Sequence, residues 1–301
     1  MSIEEITVET LDEAVSHLER LALSNGEFIF RGHKQSGYRI CSTLARYGTT
    51  PHESWNPGPD EMLTHFLTNV RSIGELPAGI AGDRRARLEY GRHYGVPSPL
   101  IDFTLSPYVA LFFAFDGVRL ERNKPNDTVS IYALDVSALG FSWARYHTPL
   151  NIDIGKTTEE YHLFMHEREP LFVHGYPREV LKYVRFPASW NKRMQQQLGV
   201  FIYDTLDYAH LDKTDFEDFV GGLKEADDAS SITVPMLTKI NIPKSVAGDV
   251  FRRLELMGIN ATRLYDDASG AAADVYNSYY YNRKTGYAWD LEVPPPDETK
   301  M

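Results

Sequence analysis

Nine consecutive residues, PYVALFFAF (Pro107–Phe115), contain no charge and, apart from one tyrosine hydroxyl, no polar side chain. Ser106 and Pro107 read as an N-cap followed by proline at the first helical position, so the run begins a helix. A helix that is apolar on every side has no face to offer water and has to lie at the centre of a core. The rest of the chain must be arranged around it. Upstream, Pro97 and Pro99 keep the backbone extended, which makes Leu100–Phe103 a strand leading into that helix. Asp102 and Thr104 stand directly beside this greasy element, and polar residues in such a place need a reason.

A chain of 301 residues can hold one large core or two smaller ones, and 43% hydrophobic with 12% aromatic residues is a globular composition. The single cysteine, Cys41, excludes an intramolecular disulfide and a cysteine-built zinc or iron–sulfur site, and fits a reducing cytoplasm. It reads as a small buried residue, since no nucleophile motif surrounds it. The opening MSIEEITVETLDEAV is acidic and lacks the basic and apolar regions of a signal peptide. The greasiest segment, VALFFAF, is seven residues long, against the roughly 18 that a spanning helix needs. A soluble cytoplasmic protein without a membrane partner is expected. The net charge of −11 opposes binding to a polyanion, and the clusters Arg84, Arg85, Arg87 and Arg252, Arg253 read as solvated helix faces. A nucleic-acid partner is therefore not expected.

Apolar periodicity predicts a first helix through Leu11, Val15, Leu18 and Leu21, with Thr10 and Glu13 as a capping box and Ser24-Asn25-Gly26 as its stop. A short strand, Phe28–Arg31, follows. Further helices are expected at 60–73, at 84–94 ending on Gly95, at 244–257 ending on Gly258, and at 271–279. SIYALDV, GVFIYD and TKINIP read as strands. The stretch 157–187 shows no clear period, and 217–231 reads as an acidic connection. Strands and helices mix without a βαβ repeat, which predicts one α+β domain over 27–285, a helical segment at 1–26 and a tail at 286–301. The tyrosine-rich SYYYNRKTGYAW is expected to pack on the core.

Phosphate-loop, dinucleotide-fold and nucleophile-elbow motifs are all missing. His162 and His166 have the i, i+4 spacing of metal ligands, but the segment is HLFMH and lacks the glutamate of a metalloprotease, so no metal is expected. The informative position is Arg31, an arginine directly after three apolar residues and directly before Gly32. It either pairs with a carboxylate at a strand mouth, Gly32 letting the chain turn, or presents its planar fork to a phosphate in a pocket.

Phe30-Arg31-Gly32, His93-Tyr94-Gly95-Val96-Pro97, Leu100-Ile101-Asp102-Phe103-Thr104 and Ser106-Pro107 with Ala110-Leu111 and Phe113-Ala114 together resemble the FRG domain, named for its phenylalanine-arginine-glycine motif. Arg193, Gln197, Gly199 and Phe201, then Gly258-Ile259-Asn260, Leu264-Tyr265 and Gly270, continue the resemblance in order. Ser98-Pro99 departs from the threonine-arginine usual in that family, which leaves Arg31 and Thr104 to carry more of the site. The order of pieces also looks like the ADP-ribosyltransferase fold, and that second likeness implies NAD as substrate. Under it Arg31 and Gly32 would hold the pyrophosphate, Thr104 and Ser106 would line the ribose, and Gln197 would contact the ribose or the substrate. His93 would belong to the binding set or act as a base, although a structural place at its helix end is the simpler reading. Gly199 stands where the arginine-serine-glutamate branch carries its catalytic glutamate, so Asp102 or Glu89 would have to supply the charge that stabilises an oxocarbenium-like state.

The likeness thus implies an NAD-dependent transferase or glycohydrolase effector in microbial conflict or defence, with a protein target or regulatory partner. Two alternatives stay open. One is a noncatalytic ligand-sensing module that kept the pocket; the other is a nucleic-acid-acting effector.

Overall fold

The computed structural model describes residues 3–47, 59–74, 76–77, 80, 82, 84–118, 127–136, 138, 181–184, 191–204 and 236–284. Among the described residues seven strands form one mixed sheet: β1 (Ile3–Thr7), β2 (Phe28–His33), β3 (Ile101–Thr104), β4 (Thr128–Asp135), β5 (Leu181–Val184), β6 (Gly199–Asp204) and β7 (Leu237–Pro243). Their order is β1-β7-β4-β2-β3-β6-β5, with β1 parallel to β7 and every other neighbouring pair antiparallel. Among the described residues the α-helices are α1 (Leu11–Ala22), α2 (Thr43–Tyr47), α3 (Pro59–Ile73), α4 (Arg84–His93), α5 (Pro107–Phe115), α6 (Lys192–Gln196), α7 (Ala247–Leu256), α8 (Ala261–Tyr265) and α9 (Ala268–Lys284). The protein is α+β, and no helix among the described residues is long and apolar enough to cross a membrane.

The apolar run 107–115 is α5, capped by Ser106, whose Oγ accepts from the Val109 amide, and started by Pro107. Its residues join Phe28 and Phe30 of β2, Ile131 and Ala133 of β4, and Leu11, Val15 and Leu18 of α1 in the largest core cluster. Alternate residues on the same strands, Ile29, Tyr132 and Leu134, belong to a second cluster on the opposite face with Ile101, Phe103 and Val200. That two-residue period is what sends successive side chains of a strand to opposite faces.

The segment 1–26 is not helical throughout, because Ile3–Thr7 joins the sheet as an edge strand beside β7. Its partner lies far along the chain, so no local signal announces it. The strand before α5 runs Ile101–Thr104 and so includes Thr104, which pairs with Phe30 and Gly199. The last helix is longer than its apolar pattern, spanning Ala268–Lys284, and Tyr281 of the tyrosine-rich stretch is buried against the core with its hydroxyl donating to the Val118 carbonyl. His162, His166, the stretch 217–231 and the tail 286–301 lie outside the described residues.

Candidate functional site

β2 and β3 share the single register pair Phe30↔Thr104, whereas β2 pairs with β4 along its whole length. Arg31 occupies the place where the β2–β3 ladder stops. Its Nη1 donates to the Asp102 carbonyl at 2.6 Å, and its Nε donates to His33 Nε2 at 2.8 Å. With Nε2 accepting, the hydrogen of His33 sits on Nδ1 and is donated to the Tyr38 carbonyl at 3.0 Å. Burial, with the Arg31 charge beside it, pushes the His33 pKa down to about 3, so the ring is neutral at ordinary pH. Burial also draws the Arg31 pKa down, with Asp102 opposing, yet a guanidinium remains charged.

Asp102 is gripped from α4. Arg92 donates from Nε to Oδ1 at 2.6 Å and from Nη2 to Oδ2, a bidentate fork, while its Nη1 reaches Thr43 Oγ1 at 3.1 Å. Arg31 Nη1 stands 3.9 Å from Oδ2. Burial alone would raise the Asp102 pKa; Arg92, then Arg31, outweigh it and hold the carboxyl below its ordinary value. The carboxylate is therefore ionised and already matched by two cations.

Thr104 is buried and links three elements: its Oγ1 donates to the Gln197 carbonyl at 2.7 Å and accepts from the Ser106 amide at 3.1 Å. Gln197, also buried, donates from Nε2 to the Leu264 carbonyl at 2.9 Å. Thr104→Val keeps the shape and leaves that carbonyl and amide unpaired. It is expected to lower stability by about 1–3 kcal/mol, measurable as a shift in the urea midpoint at unchanged slope.

Not every residue assigned from the sequence reaches this place. Arg31, Gly32, Asp102, Thr104 and Gln197 line one cleft of about 630 Å³ at the β2–β3 split; Ser106, His93 and Glu89 do not. Ser106 serves α5 as its cap. His93 is largely exposed at the end of α4 with its ring edge-on to Tyr94, and partial desolvation of the ring, with the Arg193 charge nearby, lowers its pKa. Glu89 is buried and receives Asn191 Nδ2 at 2.9 Å. At Gly199 a Cβ would stand 2.2 Å from Met194 Cε and 3.2 Å from the Met194 carbonyl oxygen, so the space that any side chain at 199 would enter is filled by a cleft-lining methionine.

The other lining residues were less visible in the sequence. Lys34, Arg39, Arg46 and Arg193 join Arg31, so that five cations face one carboxylate, Asp102, among the described residues. His33 and Arg92 complete the supports of Arg31 and Asp102. His33 could have been found by the two-residue period from Arg31; Arg92 could not, since its partner is set by how α4 packs.

Fold and cleft together define an α+β protein with a cation-lined recess where two strands part. Residues 26–123, from just before β2 to beyond α5, match the family model of the FRG domain, and the chain carries an FRG domain there. That span holds Arg31, Gly32, Asp102 and Thr104 but not Arg193 or Gln197, which reach the cleft from α6 and its C-terminal end. No curated protein and no solved structure matches the chain.

Proposed function

We propose that the protein binds a phosphorylated nucleotide, with NAD the candidate, in the cleft between β2 and β3, and acts as a ligand-binding module. The observation that carries this reading is the charge of the lining: five cations and one carboxylate, in a chain whose net charge is −11. A concentrated positive recess on an acidic protein is a receptor for a small anion, and the volume falls within the roughly 300–1,000 Å³ of small-molecule sites.

Asp102 favours a second reading, cleavage of NAD by ADP-ribosyl transfer or glycohydrolysis in an effector of conflict or defence. It is an ionised carboxylate lining the cleft, as stabilisation of an oxocarbenium-like state requires. Its charge is shared between Arg92 and Arg31, however, which weakens the field it can offer a substrate, and binding is the better supported activity.

Calorimetric titration of NAD into the protein and into Arg31→Gln tests the site, beside an assay of nicotinamide release by the protein and by Asp102→Asn. The expected result is NAD binding that weakens about tenfold or more in Arg31→Gln, without release. Unchanged affinity in Arg31→Gln would sink the assignment of the cleft. Release that disappears in Asp102→Asn would establish the second reading instead.

A further inference from the structure

Two of the arginines that line the cleft stand in different conditions. Arg31 is already engaged through Nε and Nη1, to His33 and to the Asp102 carbonyl. Arg193, on α6, makes no hydrogen bond and no ion pair through its guanidinium among the described residues; it lies over the Tyr265 ring, with Cζ 4.6 Å from the centroid. The acidic neighbour Asp267 accepts from Ser269 Oγ and the Gly270 amide and forms no ion pair with Arg193.

Stacking occupies the flat face of a guanidinium and leaves its in-plane donors directed outward, where a planar fork can meet two oxygens of one anion. The platform beneath it is fixed. Tyr265 donates from its hydroxyl to Asp116 Oδ2 at 2.9 Å and sets its ring edge-on to Phe112 and Phe113, each at 6.1 Å. The same Asp116 oxygen accepts from Lys34 Nζ at 3.2 Å, so one carboxylate at the end of α5 holds both cleft-lining Lys34 and the ring over which cleft-lining Arg193 lies.

We infer that Arg193, held flat by Tyr265, is the principal receptor for a phosphate group of the ligand, and that Tyr265 and Asp116 are positioning residues that set Arg193 and Lys34 at the cleft. Arg31 is then the secondary contact, which closes the β2–β3 split through Nε and Nη1 and offers the ligand its remaining Nη2. The inference rests on the nucleotide-binding reading only for the rest of the ligand.

The test is titration of inorganic pyrophosphate and of NAD into the protein and into Arg193→Gln, Arg31→Gln, Tyr265→Phe and Tyr265→Leu. Arg193→Gln is expected to weaken both probes by about 100-fold, against about tenfold for Arg31→Gln. Tyr265→Phe keeps the ring and should stay within about threefold of the parent, whereas Tyr265→Leu should fall toward Arg193→Gln. Rescue by phenylalanine separates support of the guanidinium from a general packing role, and the Arg193 and Phe variants decide the matter should Tyr265→Leu fail to fold. Pyrophosphate affinity unchanged in Arg193→Gln would overturn the inference while leaving NAD binding to stand on its own titration. Arg193-dependent binding of pyrophosphate without binding of NAD would uphold the inference and remove the nucleotide reading. Binding of neither probe to the parent would overturn both.

Discussion

Gly32→Ala is expected to lower stability by about 3 kcal/mol, the upper end for forcing atoms into a packed core. A Cβ at this position would stand 2.1 Å from the Ala110 carbonyl oxygen and 2.6 Å from the Ala114 amide nitrogen. Both obstacles are backbone of α5, so no side chain can swing aside; the helix and β2 would have to separate, which uncovers Phe30 and loosens the largest core cluster. Gly37→Ala is the control, because it lines the same cleft and an added Cβ meets nothing within 4 Å. It should stay within about 0.5 kcal/mol of the parent. Urea unfolding of both variants measures the contrast. A Gly32→Ala midpoint equal to that of Gly37→Ala would show that α5 and β2 can part at little cost, and the close approach would lose its place in the account of the fold.

That close approach gives the phenylalanine-arginine-glycine motif its physical meaning. Phe30 points into the core under α5, Arg31 points to the other face, and Gly32 returns to the helix with no side chain to obstruct it. Alternation along a strand is readable from sequence, and so were the buried helix with its Ser106-Pro107 start and the strands on which the apolar pattern is unbroken. β1 was not readable, because a strand whose partner is β7 owes its existence to a surface formed elsewhere. The same limit applies to the site. Arg31, Asp102 and Thr104 announced themselves as polar residues next to an apolar element. The engagement of Asp102 by Arg92, the burial of Glu89 against Asn191 and the stacking of Arg193 on Tyr265 all depend on how helices distant in sequence meet. Glu89 and Asp102 look alike as free carboxylates in a sequence, and only packing makes one a buried partner of an amide and the other a counter-ion in a cleft.

Asp102→Ala should cost about 2–3 kcal/mol at neutral pH. Removing one partner of a buried ion pair typically costs about 3–5 kcal/mol, and the value is reduced here because the Asp102 side chain is 40% exposed and partly screened by water. What remains after the substitution is two guanidiniums, Arg31 and Arg92, with side chains only 17% and 15% exposed and no carboxylate between them. The pH dependence has a definite sign. Arg92 and Arg31 hold the Asp102 pKa below its ordinary value, so the unfolded chain takes up the proton first as the pH falls. The stabilisation is complete above about pH 4, the ordinary carboxyl value, and disappears as the pH drops through the lower folded value. His33 acts in the same direction over a wider range, since its folded pKa of about 3 lies below the ordinary imidazole value. It is present in both proteins, so the difference between parent and Asp102→Ala isolates the carboxylate to first order. Urea midpoints at pH 7 and pH 3 are therefore expected to converge in acid. A gap that stays constant would mean that the aspartate contributes by shape rather than by charge, and that the two arginines are held apart by their other partners, the His33 ring, the Asp102 carbonyl and Thr43.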